Sequence, residues 1–186
     1  MKIREELKIL EKNILNCSFA CKKSNNARLF GRNLTDEYSS IDVLFLGMAP
    51  QPETYNSKEK RIIFGPYSPT GKRIKNLLFE LQTIFNNLSC WGTNCVKCNV
   101  AEDEIPVAIT RCATNLKNEI EILRPKAIIL FGKTVVENFL KEKFSVGRVS
   151  SWQEVACMHY YHPMERTGRF MKHKGIVFDF LKTVYR

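Results

Sequence analysis

The sequence predicts an α/β fold, a three-layer α/β/α sandwich around a small, mostly parallel four-stranded sheet. Three observations predict it. Four short segments of strand length punctuate the chain. Segments of helical period separate them. Two of them, IDVLFLG and KAIILFG, are near-continuously apolar, as strands buried on both faces must be. Of the 186 residues, 44% are hydrophobic and 26% charged, a composition of folded chains. That length predicts one domain spanning 1–186. No stretch approaches the ~18 uninterrupted apolar residues of a membrane helix. The start, MKIREELKILEKNI, has no signal-peptide core, so an intracellular protein is expected.

Residues 2–15 place Ile3, Leu7, Leu10, Ile14 and Leu15 at helical spacing. Cys17 and Cys21 follow, then a polar stretch. IDVLFLG (Ile41–Gly47) predicts the first buried strand. Residues 48–73 hold Pro50, Pro52, Pro66 and Pro69 and predict a long loop. Irregular segments of that length in compact domains usually have a function. Residues 71–85 return to helical spacing through Ile74, Leu77, Leu78, Leu81 and Ile84. Residues 89–100 predict a second strand ending in a cysteine-containing turn. Residues 110–123 predict a helix stopped by Arg124-Pro125, because the residue before proline disfavours helical backbone. KAIILFG (Lys126–Gly132) is the third strand, with a helix at 134–141. Residues 155–160 form the fourth, running into Tyr161-His162-Pro163, a basic loop and a last helix near 176–185. Ligands of such folds sit beyond the carboxyl ends of the strands. Those ends carry Gly47-Met48-Ala49-Pro50, Asn94 to Cys98, Gly132 and His162-Pro163.

The 29 Lys and Arg exceed the 19 Asp and Glu by ten. That surplus attracts polyanions, of which nucleic acid is the commonest inside cells. A merely solvated Lys-rich surface is the other reading. The seven cysteines, without a secretion signal, read as thiols, metal ligands or small core residues. Two tetrads compete. One is Cys17 and Cys21 with Cys98 and Cys112; the other is Cys90, Cys95, Cys98 and Cys112. The second has plant-type [2Fe–2S] spacing, but side chains of a strand through Cys95 and Cys98 alternate faces. The first tetrad can meet at one edge of the fold, leaving Cys90, Cys95 and Cys157 in the core. Zinc would accept the same thiolates.

The residues also resemble a known family. The pair Cys17/Cys21, the segment VLFLGMAP (Val43–Pro50), TNCVKC (Thr93–Cys98) and YYHP (Tyr160–Pro163) occur in the order of the uracil-DNA glycosylase superfamily. RCATNLKNEIEILRPKAIILFGKTV (Arg111–Val135) lies between them. The chain is most similar to the iron–sulfur branch, the fourth and fifth families. The resemblance implies a [4Fe–4S] cluster on Cys17, Cys21, Cys98 and Cys112, with zinc the lesser alternative. It also implies a monofunctional DNA glycosylase that hydrolyses the N-glycosidic bond of uracil in base excision repair. DNA, single- or double-stranded, would be its partner, and a monomer is expected.

That reaction needs an extruded base, recognition of its edge, stabilisation of the departing anion and a placed water. By resemblance, Phe64 stacks on the base, a contact worth about 1–3 kcal/mol. Asn94 would read it by donating to O4 and accepting from N3–H, a pattern that cytosine reverses. His162 would hydrogen-bond O2 of the leaving base, and the amides of Met48 and Ala49, after Gly47, would complete the anion pocket. For the water the candidates are Glu53 and Asn56. The loop GMAPQPETYN departs from the family at Met48 and Gln51, and residues 51–56 would face C5 of the base. Arg166, Arg169 and Lys172 follow His162 and would hold phosphates, with Met164 or Arg166 filling the gap left by the base. Lys72, Arg73 and Lys75 are a second candidate phosphate patch, at a helix start. Each residue has a plainer reading too: a core phenylalanine, a structural histidine, a solvated charge. The competing functions are excision of another deaminated or modified base, and non-catalytic DNA binding. No lysine nucleophile is expected at the pocket, hence no strand-cleaving step.

Overall fold

A computed structural model describes residues 2–17, 30–35, 40–50, 64–65, 68–98 and 100–185. Its helices are α1 (Lys2–Leu15), α2 (Pro69–Ile84), α3 (Ile105–Leu123), α4 (Lys133–Phe139), α5 (Arg169–Lys172) and α6 (Gly175–Val184). Its strands are β1 (Arg32–Asn33), β2 (Val43–Gly47), β3 (Cys90–Asn94), β4 (Ala127–Phe131), β5 (Val149–Trp152) and β6 (Val155–Tyr160).

The sheet has six strands in the order β1-β3-β2-β4-β6-β5. The four expected strands are its parallel centre, β3-β2-β4-β6. The expectation of a four-stranded sheet is corrected at both edges, where β1 and β5 pair antiparallel and make the sheet mixed. The edge strands carry no buried apolar run: β1 is Arg32-Asn33, and β5, VSSW, alternates exposed with half-buried residues. Short, polar edges of this kind protect a sheet from pairing with another chain.

Strand alternation divides the core into two layers. Val43, Phe45, Ile129, Phe131, Met158 and Tyr160 face α2 and α6, where Ile74, Leu77, Leu81, Val177 and Leu181 cover them. Leu44, Leu46, Trp91, Ile128, Leu130 and Cys157 face Leu7 of α1, Leu116 and Ile120 of α3, and Val135 of α4. Burying each such aliphatic or aromatic side chain is worth roughly 1.5–3 kcal/mol.

Two helices begin earlier than expected, and proline explains both. Pro69 and Pro106 sit in the first turns of α2 and α3, where no intrahelical N–H is needed. The expected loop therefore ends at Ser68, which caps α2 by accepting from the Gly71 N–H at 2.9 Å. At its other end α3 stops as expected, with Arg124 left-handed (φ 47°) before Pro125. Among the described residues no helix is long and apolar enough to cross a membrane. Because β2, β3, β4 and β6 are parallel, Gly47, Asn94, Phe131 and Tyr160 end on one edge.

Candidate active site

Gly47 and Asn94 stand opposite each other as the last pair of the β2–β3 ladder. The pairing continues past the strands. The Cys95 N–H donates to the Gly47 carbonyl at 2.9 Å and the Val96 N–H to that of Met48 at 2.8 Å. Asn94 is buried. A Cβ on Gly47 would lie 2.3 Å from Asn94 Oδ1 and 3.3 Å from Phe64 Cζ. Three residues singled out in the sequence thus meet at one point.

Phe64 lies across two glycines. A Cβ on Gly92, the neighbour of Phe45 in β3, would come 2.6 Å from Phe64 Cδ2. Gly92 was not singled out in the sequence; a glycine inside a strand marks close approach of another group, and that was its signal. The ring also meets Phe131 edge-on, with centroids 6.1 Å apart. Its backbone is left-handed, φ 52°, which costs a non-glycine residue about 1–3 kcal/mol and needs support. Support comes from α2. The N–H and hydroxyl of Ser68 donate to the Gly65 carbonyl at 3.0 and 2.9 Å, and Gly71 leaves room for that carbonyl.

His162 follows β6. Its ring covers Gly132, whose φ of +88° and missing side chain let β4 turn beneath it. The Met164 N–H donates to His162 Nδ1 at 3.1 Å. In the neutral ring the proton therefore sits on Nε2. The residue has an exposed surface, yet desolvation pushes its pKa below the ordinary histidine value, favouring that neutral form. Nε2–H is a neutral donor, suited to an oxygen that gains charge.

Met48 and Ala49 are half-buried, and their N–H groups have no acceptor among the described residues. Glu53, Asn56, Gln51 and Cys21 lie outside the described residues. Lys72, Arg166, Arg169 and Lys172 are exposed and form no ion pair among the described residues. Arg73 is turned elsewhere: its Nη1 donates to the carbonyls of Pro163 and, at 2.9 Å, of Glu165. It joins α2 to the loop after His162. Met164 is exposed beside them.

The turn after Asn94 rests on a buried network that was not foreseen. Glu119 of α3 accepts from Trp91 Nε1 at 2.8 Å, from Thr93 Oγ1 at 3.0 Å and from Lys97 Nζ. Lys97 also donates to Thr93 Oγ1 at 2.6 Å. Both charged side chains are buried. Removing one partner of such a pair costs about 3–5 kcal/mol, since the other charge is then left alone. A lysine inside TNCVKC was the available signal, because lysine is almost never fully buried unless paired.

Cys98 and Cys112 share a small buried cluster with Val96 and Ala108, against which Met48 and Ala49 pack. Cys17 follows α1, which runs antiparallel to α3: Ile3 and Leu7 lie beside Leu123, and Asn13 beside Asn118. That direction carries Cys17 toward the Cys112 end. Of the four expected ligands, Cys98 and Cys112 share this cluster, and thiolates are the donors that iron–sulfur or zinc takes. Among the described residues no three metal-ligating side chains gather. Cys90, Cys95 and Cys157 are buried, and desolvation pushes the thiols of Cys95 and Cys157 up to about 12.

No curated protein matches the chain. The family model described as Uracil DNA glycosylase superfamily matches residues 35–181, and the chain belongs to that superfamily.

Proposed function

We propose that the protein is a monofunctional DNA glycosylase that excises uracil from an extruded nucleotide. The observation that carries this reading is the meeting of Gly47, Asn94 and Phe64 at the strand ends, with His162 following β6, two strands from Gly47 and three from Asn94. Three strand spacings are roughly 14 Å, a span that the side chains of Asn94 and His162 bridge with a pyrimidine ring hydrogen-bonded between them.

The base enters against Phe64, which stacks on it. The Asn94 amide reads O4 and N3–H, and its burial keeps water from competing. As the glycosidic bond lengthens, charge flows onto N1 and O2. His162 and the amides of Met48 and Ala49 answer it. A water placed by Glu53 or Asn56 adds to the sugar. Lys97, the lysine nearest Asn94 in sequence, is bound to Glu119 and offers no free amine, in keeping with simple hydrolysis. Lys72, Arg166, Arg169 and Lys172 hold phosphates around the extruded nucleotide. An iron–sulfur cluster on Cys17, Cys21, Cys98 and Cys112 would fasten α1 and α3 to the loop behind Met48. Iron with acid-labile sulfide in the purified protein supports it; zinc or no metal contradicts it.

Single-turnover reactions on oligonucleotides holding uracil, other deaminated or modified pyrimidines, or normal bases test the function. Alkali-labile sites at uracil alone are expected. Sites at another base would move the specificity within the same chemistry, and the altered residues Met48 and Gln51 favour including that arm. Binding with no abasic site on any base would overturn the reading in favour of a non-catalytic binder.

A further inference from the structure

We propose that Arg73 is a positioning residue, whose guanidinium fixes the Pro163–Met164 peptide and through it the ring of His162, rather than a phosphate ligand. This rests on the role given above to His162.

The carbonyl of Pro163 and the N–H of Met164 belong to one planar peptide. Arg73 Nη1 donates to that carbonyl, and that N–H donates to His162 Nδ1 at 3.1 Å. One rigid unit thus connects the cation to the imidazole. Arg73 also holds the Glu165 carbonyl at 2.9 Å, and the Glu165 N–H closes the turn by donating to the His162 carbonyl at 3.0 Å. The turn is therefore bonded on both sides: carbonyls to Arg73, amides to His162. A cation on a carbonyl polarises the peptide and strengthens its N–H as a donor. A strong donor at Nδ1 keeps the proton on Nε2, where the departing base needs it.

The same helix end serves Phe64. Ser68, at the start of α2, holds the Gly65 carbonyl, and Arg73 stands in the next turn. The first turns of α2 thereby fix the distance between the stacking ring and the imidazole. Lys72 and Lys75 beside Arg73 are exposed, whereas Arg73 is half-buried and engaged.

The two roles leave different traces. A phosphate ligand sets affinity and contributes about one to the salt slope of binding. A positioning residue sets the rate of the bound complex. Arg73→Gln is expected to slow single-turnover excision at saturating uracil-containing duplex by about 10–100-fold. Its affinity should stay within about twofold, with the salt slope unchanged. In a His162→Ala background the same change should cost no more than about twofold. Nitrogen-15 spectra of the His162 ring should show loss of the Nε2–H tautomer in Arg73→Gln. Arg73→Lys, which keeps the charge but not the planar fork, should fold normally and fall between.

Weaker binding, a salt slope smaller by about one and an unchanged rate would overturn the proposal and leave the glycosylase reading intact. If Arg73→Gln does not fold, a wild-type rate and wild-type ring spectrum in Arg73→Lys would overturn it as well. Wild-type protein that releases no base would overturn the functional reading instead. The ring spectra would then still decide whether Arg73 holds His162, an unaltered tautomer counting against it.

Discussion

His159 and His162 stand three residues apart at the end of β6, and they differ in what their ring nitrogens touch. His159 is fully buried and stacks on Phe144 at 6.2 Å with 9° between the planes. Its Nδ1 accepts from the Ser145 N–H at 3.3 Å, and its Nε2 faces Ser150 Oγ at 3.3 Å. Ser150 in turn donates to Glu142 at 2.7 Å, and Glu142 pairs with Arg148. Both nitrogens are occupied, so this histidine fastens the 142–150 corner to the sheet. His162 has one nitrogen occupied and, among the described residues, no partner on the other. Desolvation lowers the pKa of both rings, with Glu142 opposing the shift at His159. A lowered pKa therefore does not separate the two histidines; what their Nε2 atoms meet among the described residues does.

The comparison breaks most visibly at His162. His162→Ala should reduce excision by about 10²–10³-fold, the usual loss of a donor to a developing anion. Its melting temperature should stay near that of wild type; a similar fall in stability would place it with His159. Next is Gly47→Ala, whose new methyl would displace the Asn94 amide or the Phe64 ring. Excision should drop on the order of 10²-fold, and stability by about 1–3 kcal/mol from overpacking.

His159→Ala should do the reverse of His162→Ala. Denaturant titration should show a loss of about 2 kcal/mol, from a cavity and an unsatisfied Ser145 N–H, with excision by the folded fraction unchanged. Acid tests the same pair. A histidine with a lowered folded pKa contributes stability that is complete above about pH 6.5 and is lost as pH falls through the folded value. Wild-type stability should decline in that window, and His159→Gln should flatten the decline. Excision should likewise be level above about pH 6.5 and fall in acid, as His162 gains the proton that ends its acceptance from Met164. The smallest effect is expected from Lys172→Gln: a severalfold loss of DNA affinity on any sequence and a salt slope lower by about one.

Much of this was legible because it rests on local pattern. Val43–Phe45 and Ala127–Phe131 are apolar runs that only a doubly covered sheet can bury. Their parallel order then put Gly47, Asn94, Gly132 and His162 at one edge. What stayed hidden depends on partners remote in sequence. Arg73 and Glu165 are 92 positions apart, Lys97 and Glu119 are 22 apart, and neither pair has a periodicity that betrays it. Arg73 read as a surface cation because its carbonyl acceptors belong to backbone, which looks alike everywhere in a sequence. β1 and β5 escaped notice because edge strands need not be apolar. Pro69 read as a loop residue because proline breaks a helix anywhere except at its start.

The Lys97–Glu119 bond has a consequence for how the molecule answers its surroundings. Dissolved ions screen exposed charges over ~8 Å at physiological strength, and enclosed pairs far less. Lysines and arginines on the outer surface lose their hold as electrolyte rises, while the scaffold beneath Asn94 keeps its shape. How long the protein dwells on a polyanion and how well it discriminates once there are thus two independent settings, and only the first belongs to the medium.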